Sequence, residues 1–219
     1  MTYPHSRPGE RLLFEIPYGT FSNYSPRGNS ELSQKSRNLC GNIKAGRAVL
    51  IESAVPLLQA AGAAVLAPFL DHGATLVPVP RSAPLTEGAL WPAELIASIL
   101  ARGGLGGAVL PCVRRVTAVR KSSTSPAKDR PSVAEHYESL AVDGQLARPR
   151  SITLVDDVLT QGRTVIACVL RLRDAYPGVE IRAFAMVRAQ GLVEDVERIV
   201  DPSAGVIKYY ESGKTFRDP

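Results

Sequence analysis

The segment from Ser151 to Ala175 constrains the fold of this chain more than any other part of its sequence. A strongly apolar run leads into two adjacent carboxylates, Asp156 and Asp157. A short segment of hydroxyl side chains and glycine follows, and residues 164–175 then show the apolar period of a helix. The pattern predicts a strand over residues 151–157, a loop and a helix, which is the repeating unit of parallel α/β sheets.

Strand and helix signals alternate along most of the remaining chain. Short apolar runs bounded by proline, glycine or polar residues predict strands over residues 75–80, 108–116, 137–142 and 179–187. Helical patterns cover residues 47–70, with a kink or restart at Pro56, and residues 92–101. Residues 117–135 are polar and predict a long loop, and residues 1–46 lack periodicity apart from a short strand at 12–16. The predicted fold class is therefore α/β, a parallel sheet flanked by helices.

The size and charge of the chain set limits on its ligands. Its 219 residues fit one domain of ordinary size with a small appendage. The net charge of +5 is unevenly spread, because residues 1–50 and residues 111–150 each carry four more basic than acidic side chains. Such basic regions favour a polyanionic ligand, which is either a phosphorylated small molecule or nucleic acid. A solvated basic surface without a ligand explains the same charge.

Cysteine spacing and hydropathy indicate a cytoplasmic protein. Cys40, Cys112 and Cys168 are odd in number and form no CxxC pair, which argues against a disulfide framework and a zinc finger. We expect a reduced, cytoplasmic setting. The N-terminus has no apolar signal segment. The longest apolar run, residues 54–70, is broken by proline and polar residues and predicts a buried helix rather than a membrane span.

The loop after the acidic pair has the chemistry of an anion site. A loop at the start of a helix offers unpaired backbone N–H groups to a phosphate, and the hydroxyls of Thr160 and Thr164 add donors. Glycine at Gly162 allows a close backbone approach. The carboxylates of Asp156 and Asp157 suit sugar hydroxyls or a hard cation such as Mg²⁺. Together these groups describe a ribose-5-phosphate site; the alternative is an acidic turn that only caps the helix.

The stretch from Leu154 to Thr164 resembles the signature of type I phosphoribosyltransferases, which bind 5-phosphoribosyl-1-pyrophosphate (PRPP). The resemblance implies that Asp156 and Asp157 contact the ribose 2′ and 3′ hydroxyls, directly or through Mg²⁺ and water. It also implies a 5-phosphate site made by Thr160, Gln161, Gly162, Arg163 and Thr164.

A second stretch, residues 77–82, resembles the pyrophosphate loop of this family in the Pro-Val-Pro form of its ComF-like members. This implies that Pro80, Arg81 and Ser82 bind pyrophosphate and that Arg81 is catalytic. Edge-strand prolines beside a surface arginine are the alternative explanation. Residues 88–95 are similar to the ComF segment that opens the next helix, and residues 44–47 stand where those proteins begin their first long helix.

The basic segment over residues 120–130 falls where the family has its mobile catalytic loop. The resemblance implies catalytic roles there for Lys121, Lys128 and Arg130, and a solvated basic loop is the alternative. The likeness extends over residues 44–188. We expect the flanking segments, residues 1–43, which are irregular, and residues 189–219, to form the hood that holds the acceptor in this family.

Three departures narrow the function. The chain lacks the four-cysteine zinc finger of many ComF-like proteins, so a role in DNA uptake is not supported. Thr160 stands where hypoxanthine-guanine enzymes carry an aspartate, which disfavours oxopurine salvage. Gln161 replaces a residue that is usually small, although the backbone does most of the phosphate binding.

Two functions stay open at this point. One is an enzyme that transfers phosphoribose from PRPP to an unidentified nitrogen acceptor and releases pyrophosphate, with Mg²⁺ and cationic side chains stabilising the leaving group. The other is a non-catalytic PRPP sensor or nucleic-acid-binding regulator on the same fold. The sequence favours the enzyme because the pyrophosphate side of the site has its own motif; a homodimer is compatible with either function.

Overall fold

The computed structural model describes residues 10–60, 63–120, 130–143, 148–191 and 193–218. Within these residues the helices are α1 (Glu31–Lys44), α2 (Ala48–Ala60), α3 (Ala63–Leu66), α4 (Pro92–Arg102), α5 (Val133–Glu138) and α6 (Arg163–Ala175). The strands are β1 (Leu12–Tyr24), β2 (Ala74–Pro78), β3 (Ala108–Val109), β4 (Val113–Arg115), β5 (Leu140–Val142), β6 (Ser151–Leu159), β7 (Glu180–Ala189), β8 (Val200–Tyr210) and β9 (Thr215–Asp218).

Seven strands form one mostly parallel sheet in the order β3-β2-β6-β7-β1-β8-β9. The first five run parallel to one another, and β8 and β9 add to β1 in antiparallel pairing. Strands β4 and β5 make a separate antiparallel pair. The predicted α/β class, a sheet flanked by helices, is therefore confirmed. No helix in the described part of the chain has both the length and the apolar character that crossing a membrane requires.

Helices cover both faces of the sheet, and the strands alternate their side chains between them. On β2, Leu76 packs with α1–α4, and its neighbour Val77 packs in the cluster that contains α6. On β6, Val155 packs with α1–α4, and Leu154 packs in the cluster that contains α6. Because both faces are buried, successive residues of these strands are apolar, and this continuous run is what made them recognisable in the sequence.

The connections change direction between β2 and β6. From β2 the chain passes through α4 to the neighbouring strand β3, whereas from β6 it passes through α6 to β7 on the other side. Helices α4 and α6 lie in the two different core clusters, on opposite faces of the sheet. In open α/β sheets, such a switch point leaves a crevice at the carboxyl ends of the two strands, where ligands bind.

The expectation that residues 1–43 are irregular is wrong. Strand β1 lies inside the sheet between β7 and β8, and α1 begins after Ser30, whose hydroxyl accepts from the N–H of Ser33. Only residues 12–16 of this strand were predicted, because its buried positions beyond Ile16 include polar residues. Thr20 bonds to Ser203 at 2.9 Å, and the hydroxyl of Ser22 donates to the Met186 carbonyl at 2.7 Å, so these side chains are satisfied inside the sheet.

Other boundaries also differ from the sequence pattern. The single strand predicted over residues 108–116 is two strands in different sheets, β3 and β4, separated at Pro111, which has no N–H to continue a ladder. The strand predicted from Tyr137 begins only at β5, because Tyr137 belongs to α5. Pro56 lies inside α2. The helix predicted over residues 47–70 is represented by α2 and the short α3, and residues 67–70 are not helical. The predicted strands over 75–80, 151–157 and 179–187 and the predicted helices over 92–101 and 164–175 are confirmed to within two residues.

The C-terminal strands lie against the junction between β6 and α6. An added Cβ on Gly162 would stand 2.8 Å from the side chain of Ile207 on β8. The guanidinium of Arg217 on β9 donates to the carbonyls of Leu159 at 3.2 Å and Ala189 at 2.7 Å. Strands β8 and β9 therefore hold the carboxyl ends of β6 and β7 in place.

Gly162→Ala tests this packing, and Gly213→Ala is its matched control. Both glycines have a left-handed backbone, with φ of +76° and +78°, but only Gly162 faces a neighbour, whereas the space around Gly213 is open. We expect both variants to lose about 1 kcal/mol to backbone strain and Gly162→Ala to lose roughly 1–3 kcal/mol more to overpacking. Thermal and urea unfolding measure the difference, and equal losses would contradict the contact with Ile207.

Candidate ligand site at the carboxyl edge of the sheet

The two carboxylates lie on β6, as the sequence predicts, and this strand runs two residues past its predicted end to stop at Leu159. Asp156 pairs with Ala185 of β7, and its Oδ1 accepts from the N–H of Asp157 at 2.9 Å. Asp157 in turn accepts from the N–H of Val158 at 2.9 Å. These local bonds hold both carboxylates at the switch-point crevice.

A lysine that the motif does not contain completes this acidic pair. The Nζ of Lys44, in the last turn of α1, lies 3.3 Å from Oδ2 of Asp157. Burial raises the pKa of Asp156 well above its usual range, and the neighbouring carboxylate of Asp157 adds to this rise. Burial acts to lower the pKa of Lys44, but Asp157 and Asp156 hold it above its ordinary value. The charged lysine thus offsets part of the repulsion between the two carboxylates.

The segment predicted to hold the 5-phosphate is a three-residue turn followed by the first turn of a helix. Thr160, Gln161 and Gly162 form the turn, and α6 begins at Arg163. No described side chain caps the start of α6. The first N–H groups of a helix have no partner within it, so they are free to bind an anion there. Gln161 is exposed and does not obstruct this turn.

The predicted pyrophosphate segment follows β2, next to the acidic strand. The N–H of Val79 donates to the Val155 carbonyl at 2.8 Å, so the pairing of β2 with β6 continues to this point. The indole N–H of Trp91 donates to the Val79 carbonyl at 2.8 Å and fixes the segment from the other side. Pro80 is buried, Ser82 is partly buried and the side chain of Arg81 is exposed. Arg81 is therefore available to a ligand at this edge.

The basic segment joins these two loops at its ends. Lys121 and Lys128 lie outside the described residues. At the near end, the N–H of Val119 donates to the Ser82 carbonyl at 2.7 Å. At the far end, Nη1 of Arg163 donates to the carbonyl of Arg130 at 3.1 Å and to that of Pro131 at 3.3 Å. The chain that contains the predicted catalytic lysines thus starts beside the pyrophosphate segment and ends beside the phosphate turn.

A buried polar cluster that the sequence did not predict contacts both the pyrophosphate segment and the first turn of α6. Arg115 is 5% exposed; its Nε donates to the Arg81 carbonyl at 2.8 Å, and its Nη1 donates to the Ser139 hydroxyl. Nε2 of His136 lies 3.3 Å from the Thr164 hydroxyl. Burial, with help from Arg115, lowers the pKa of His136 to about 4, so this imidazole is neutral at neutral pH.

The donor set fits Mg²⁺ only in part. In the described ranges, no cluster of three or more His, Cys, Asp or Glu side chains is arranged to hold a metal ion. Mg²⁺ is commonly held by one or two carboxylates, with water and substrate phosphate completing its shell. Asp156 and Asp157 supply such a pair, so they suit a cation that arrives with a phosphorylated ligand.

Comparison with known proteins adds no family to this description. The chain matches no protein-family model, and no curated protein matches it. The assignment of a function therefore rests on the site itself.

Asp156→Asn should stabilise the ligand-free protein at neutral pH. Because the folded pKa of Asp156 is raised, the folded state holds this proton more tightly than the unfolded state, and stability is lost as the pH rises through the raised pKa. The amide can still accept from the Asp157 N–H. Each 1 kcal/mol gained should raise the melting temperature by roughly 2–4 °C.

The measurement is thermal unfolding in EDTA, at pH 4 and at pH 7.5. The gain should appear at pH 7.5 and shrink at pH 4, where the wild-type carboxyl already holds its proton. Asp157→Asn should show no comparable gain, because it breaks the ion pair with Lys44. A variant at Asp156 that is no more stable than wild type at pH 7.5 would rule out this account.

Proposed function

We propose that this chain is a type I phosphoribosyltransferase, which binds PRPP with Mg²⁺, transfers phosphoribose to a nitrogen acceptor and releases pyrophosphate. The observation that carries the proposal is the meeting of three segments at one switch point. The acidic pair lies near the end of β6 and the phosphate turn follows it, and the Pro-Val-Pro segment begins at the last residue of the adjacent strand β2. The ends of the basic segment join the other two.

The ribose and its 5-phosphate fit the β6 side of this crevice. The carboxylates of Asp156 and Asp157 accept hydrogen bonds, which the 2′ and 3′ hydroxyls of a ribose donate. The N–H groups at the start of α6, with the hydroxyls of Thr160 and Thr164, donate to the oxygens of the 5-phosphate. A phosphate close to a hydroxyl-binding pair is the spacing that one end of PRPP requires.

The pyrophosphate fits the β2 side. The reaction breaks the bond between the anomeric carbon and a pyrophosphate oxygen and forms a bond from that carbon to the acceptor nitrogen. Positive charge develops on the ribose, and negative charge grows on the leaving group. The exposed cation of Arg81 would stabilise that growing charge, together with Lys121, Lys128 and Arg130 from the basic segment.

Mg²⁺, held by Asp156 and Asp157 with water and the substrate's own oxygens, supplies charge neutralisation when bound. The chain's residues position the substrate: carboxylates on the ribose, backbone amides on one phosphate and cations on the other. The proposal assigns the acceptor site to the terminal segments, whose β8 faces Gly162 of the phosphate turn and whose β9 contacts Leu159, just before that turn.

PRPP with Mg²⁺ should bind the wild-type protein and raise its melting temperature, because a ligand specific to the folded state stabilises it. Asp156→Asn combined with Asp157→Asn should abolish binding while the protein stays folded. Trp91 is the single tryptophan of the chain and contacts the pyrophosphate segment, so its fluorescence should report binding. Calorimetric titration supplies the affinity, and undiminished binding by the double variant would contradict the ribose assignment.

Activity separates the enzyme from a PRPP sensor. A panel of nucleobases and amines should include an acceptor with which the wild-type protein releases pyrophosphate from PRPP. If PRPP binds but no acceptor releases pyrophosphate, the sensor explains the site better. RNA or DNA binding that falls steeply with salt would favour a nucleic-acid-binding regulator.

Arg81→Ala should weaken pyrophosphate binding by at least about tenfold, the loss expected for a charge-assisted hydrogen bond. Ribose-5-phosphate should bind nearly as well as to wild type, because it does not reach the pyrophosphate segment. Arg102→Ala is the matched control, since Arg102 is an exposed arginine at the end of α4. Equal losses for both ligands would argue against the placement of Arg81.

A further inference from the structure

Lys44 is a charged group outside the motif that contacts its acidic pair. Its ammonium lies 3.3 Å from the Asp157 carboxylate, although the two residues are 113 positions apart in the chain. The side chain of Lys44 is 41% exposed and that of Asp157 is 19% exposed. The lysine therefore reaches the carboxylate from the solvent side, where a dissolved cation would also approach.

Among the described residues, Asp157 and Asp156 are the carboxylates that act on Lys44. Cys40 lies one helical turn earlier on α1, and burial raises the pKa of its thiol to about 11, so it stays uncharged at neutral pH. The last turn of a helix favours a cation, and Lys44 occupies that turn of α1. The N–H of Ala45 closes the helix end onto the carbonyls of Gly41 and Ile43, so the backbone of Lys44 is fixed and only its side chain needs to move.

The turn after Lys44 contacts the segment that follows the pyrophosphate loop. Gly46 has a φ of +66°, and an added Cβ there would stand 2.6 Å from the side chain of Leu90. The end of α1 therefore contacts both the acidic pair on β6 and the segment that links β2 to α4. A phosphorylated ligand in this crevice would offer the ammonium of Lys44 a second anion within its reach.

We propose that Lys44 is a positioning residue that fills the cation position of Asp157 in the free protein and withholds it from dissolved divalent cations. A divalent cation gains the carboxylate only when the ammonium leaves, and the pyrophosphate of an incoming substrate supplies the anion that draws it away. The metal would then enter with its substrate rather than before it. This inference rests on the proposed function, since it assigns an order of binding to that site.

The test measures Mn²⁺ binding to the ligand-free full-length protein by electron paramagnetic resonance, with Mg²⁺ titration calorimetry in parallel. Lys44→Ala should bind Mn²⁺ at least tenfold more tightly than wild type, and Lys44→Gln, which keeps a long side chain without the charge, should behave alike. Lys44→Arg retains the charge and should stay as weak as wild type. Combining Lys44→Ala with Asp157→Asn should remove the gain.

Lys35→Ala is the matched control, because Lys35 is an exposed lysine on the same helix that pairs with Glu31 at 2.6 Å. It should leave Mn²⁺ affinity unchanged. The addition of PRPP should tighten Mn²⁺ binding to wild type far more than to Lys44→Ala. A purely structural lysine would change the melting temperature without changing metal affinity.

The outcomes separate this inference from the proposed function. If wild type binds PRPP but neither Lys44→Ala nor Lys44→Gln gains Mn²⁺ affinity, the role of Lys44 is wrong and the proposed function stands. If no form of the protein binds PRPP, the proposed function fails. A gain in Mn²⁺ affinity in that case would still establish that Lys44 competes with cations for Asp157, and it would overturn only the order of binding.

Discussion

The parallel pairing of β2 with β6 places the acidic pair beside the pyrophosphate segment. The two strands stay in register up to Pro78 and Val155, and one further bond joins the Val79 N–H to Val155. Pro80 then has no N–H to continue the ladder, so β2 ends while β6 runs on to Leu159. The last residues of β6, which include the acidic pair, thus have no β2 partner.

The acidic pair is held at a cost that the rest of the fold must offset. Burial of Asp156 disfavours its charged form, and the neighbouring carboxylate of Asp157 repels it. Both effects raise the pKa of Asp156. Lys44 offsets part of the repulsion from the solvent side. A structural role alone would be served better by an amide at position 156, so the presence of two acids favours a ligand that needs them.

The unit from β6 to α6 could be predicted from the sequence because its signals are local. The apolar run, the acidic pair, Gly162 and the helical period all lie within 25 residues, and each agrees with the same strand–turn–helix. Only the start of β1, residues 12–16, could be predicted, because the buried Thr20 and Ser22 further along the strand are satisfied only by partners more than 160 residues away. The pairing of Lys44 with Asp157 could not be predicted, since neither spacing nor composition brings α1 to the end of β6.

The pyrophosphate segment and the phosphate turn are also linked to each other through the groups that hold them in place. Val119 holds one end of the basic segment to the pyrophosphate side, and Arg163 holds the other end to the phosphate turn. Beneath them, Arg115 bonds to the Arg81 carbonyl and also reaches the carbonyl of His136 at 3.4 Å, and the ring of His136 contacts Thr164. An anion bound at either loop would therefore shift groups that also contact the other loop. A ligand with phosphates at both ends would satisfy the two loops together, whereas ribose-5-phosphate or pyrophosphate alone would act on one end of the network.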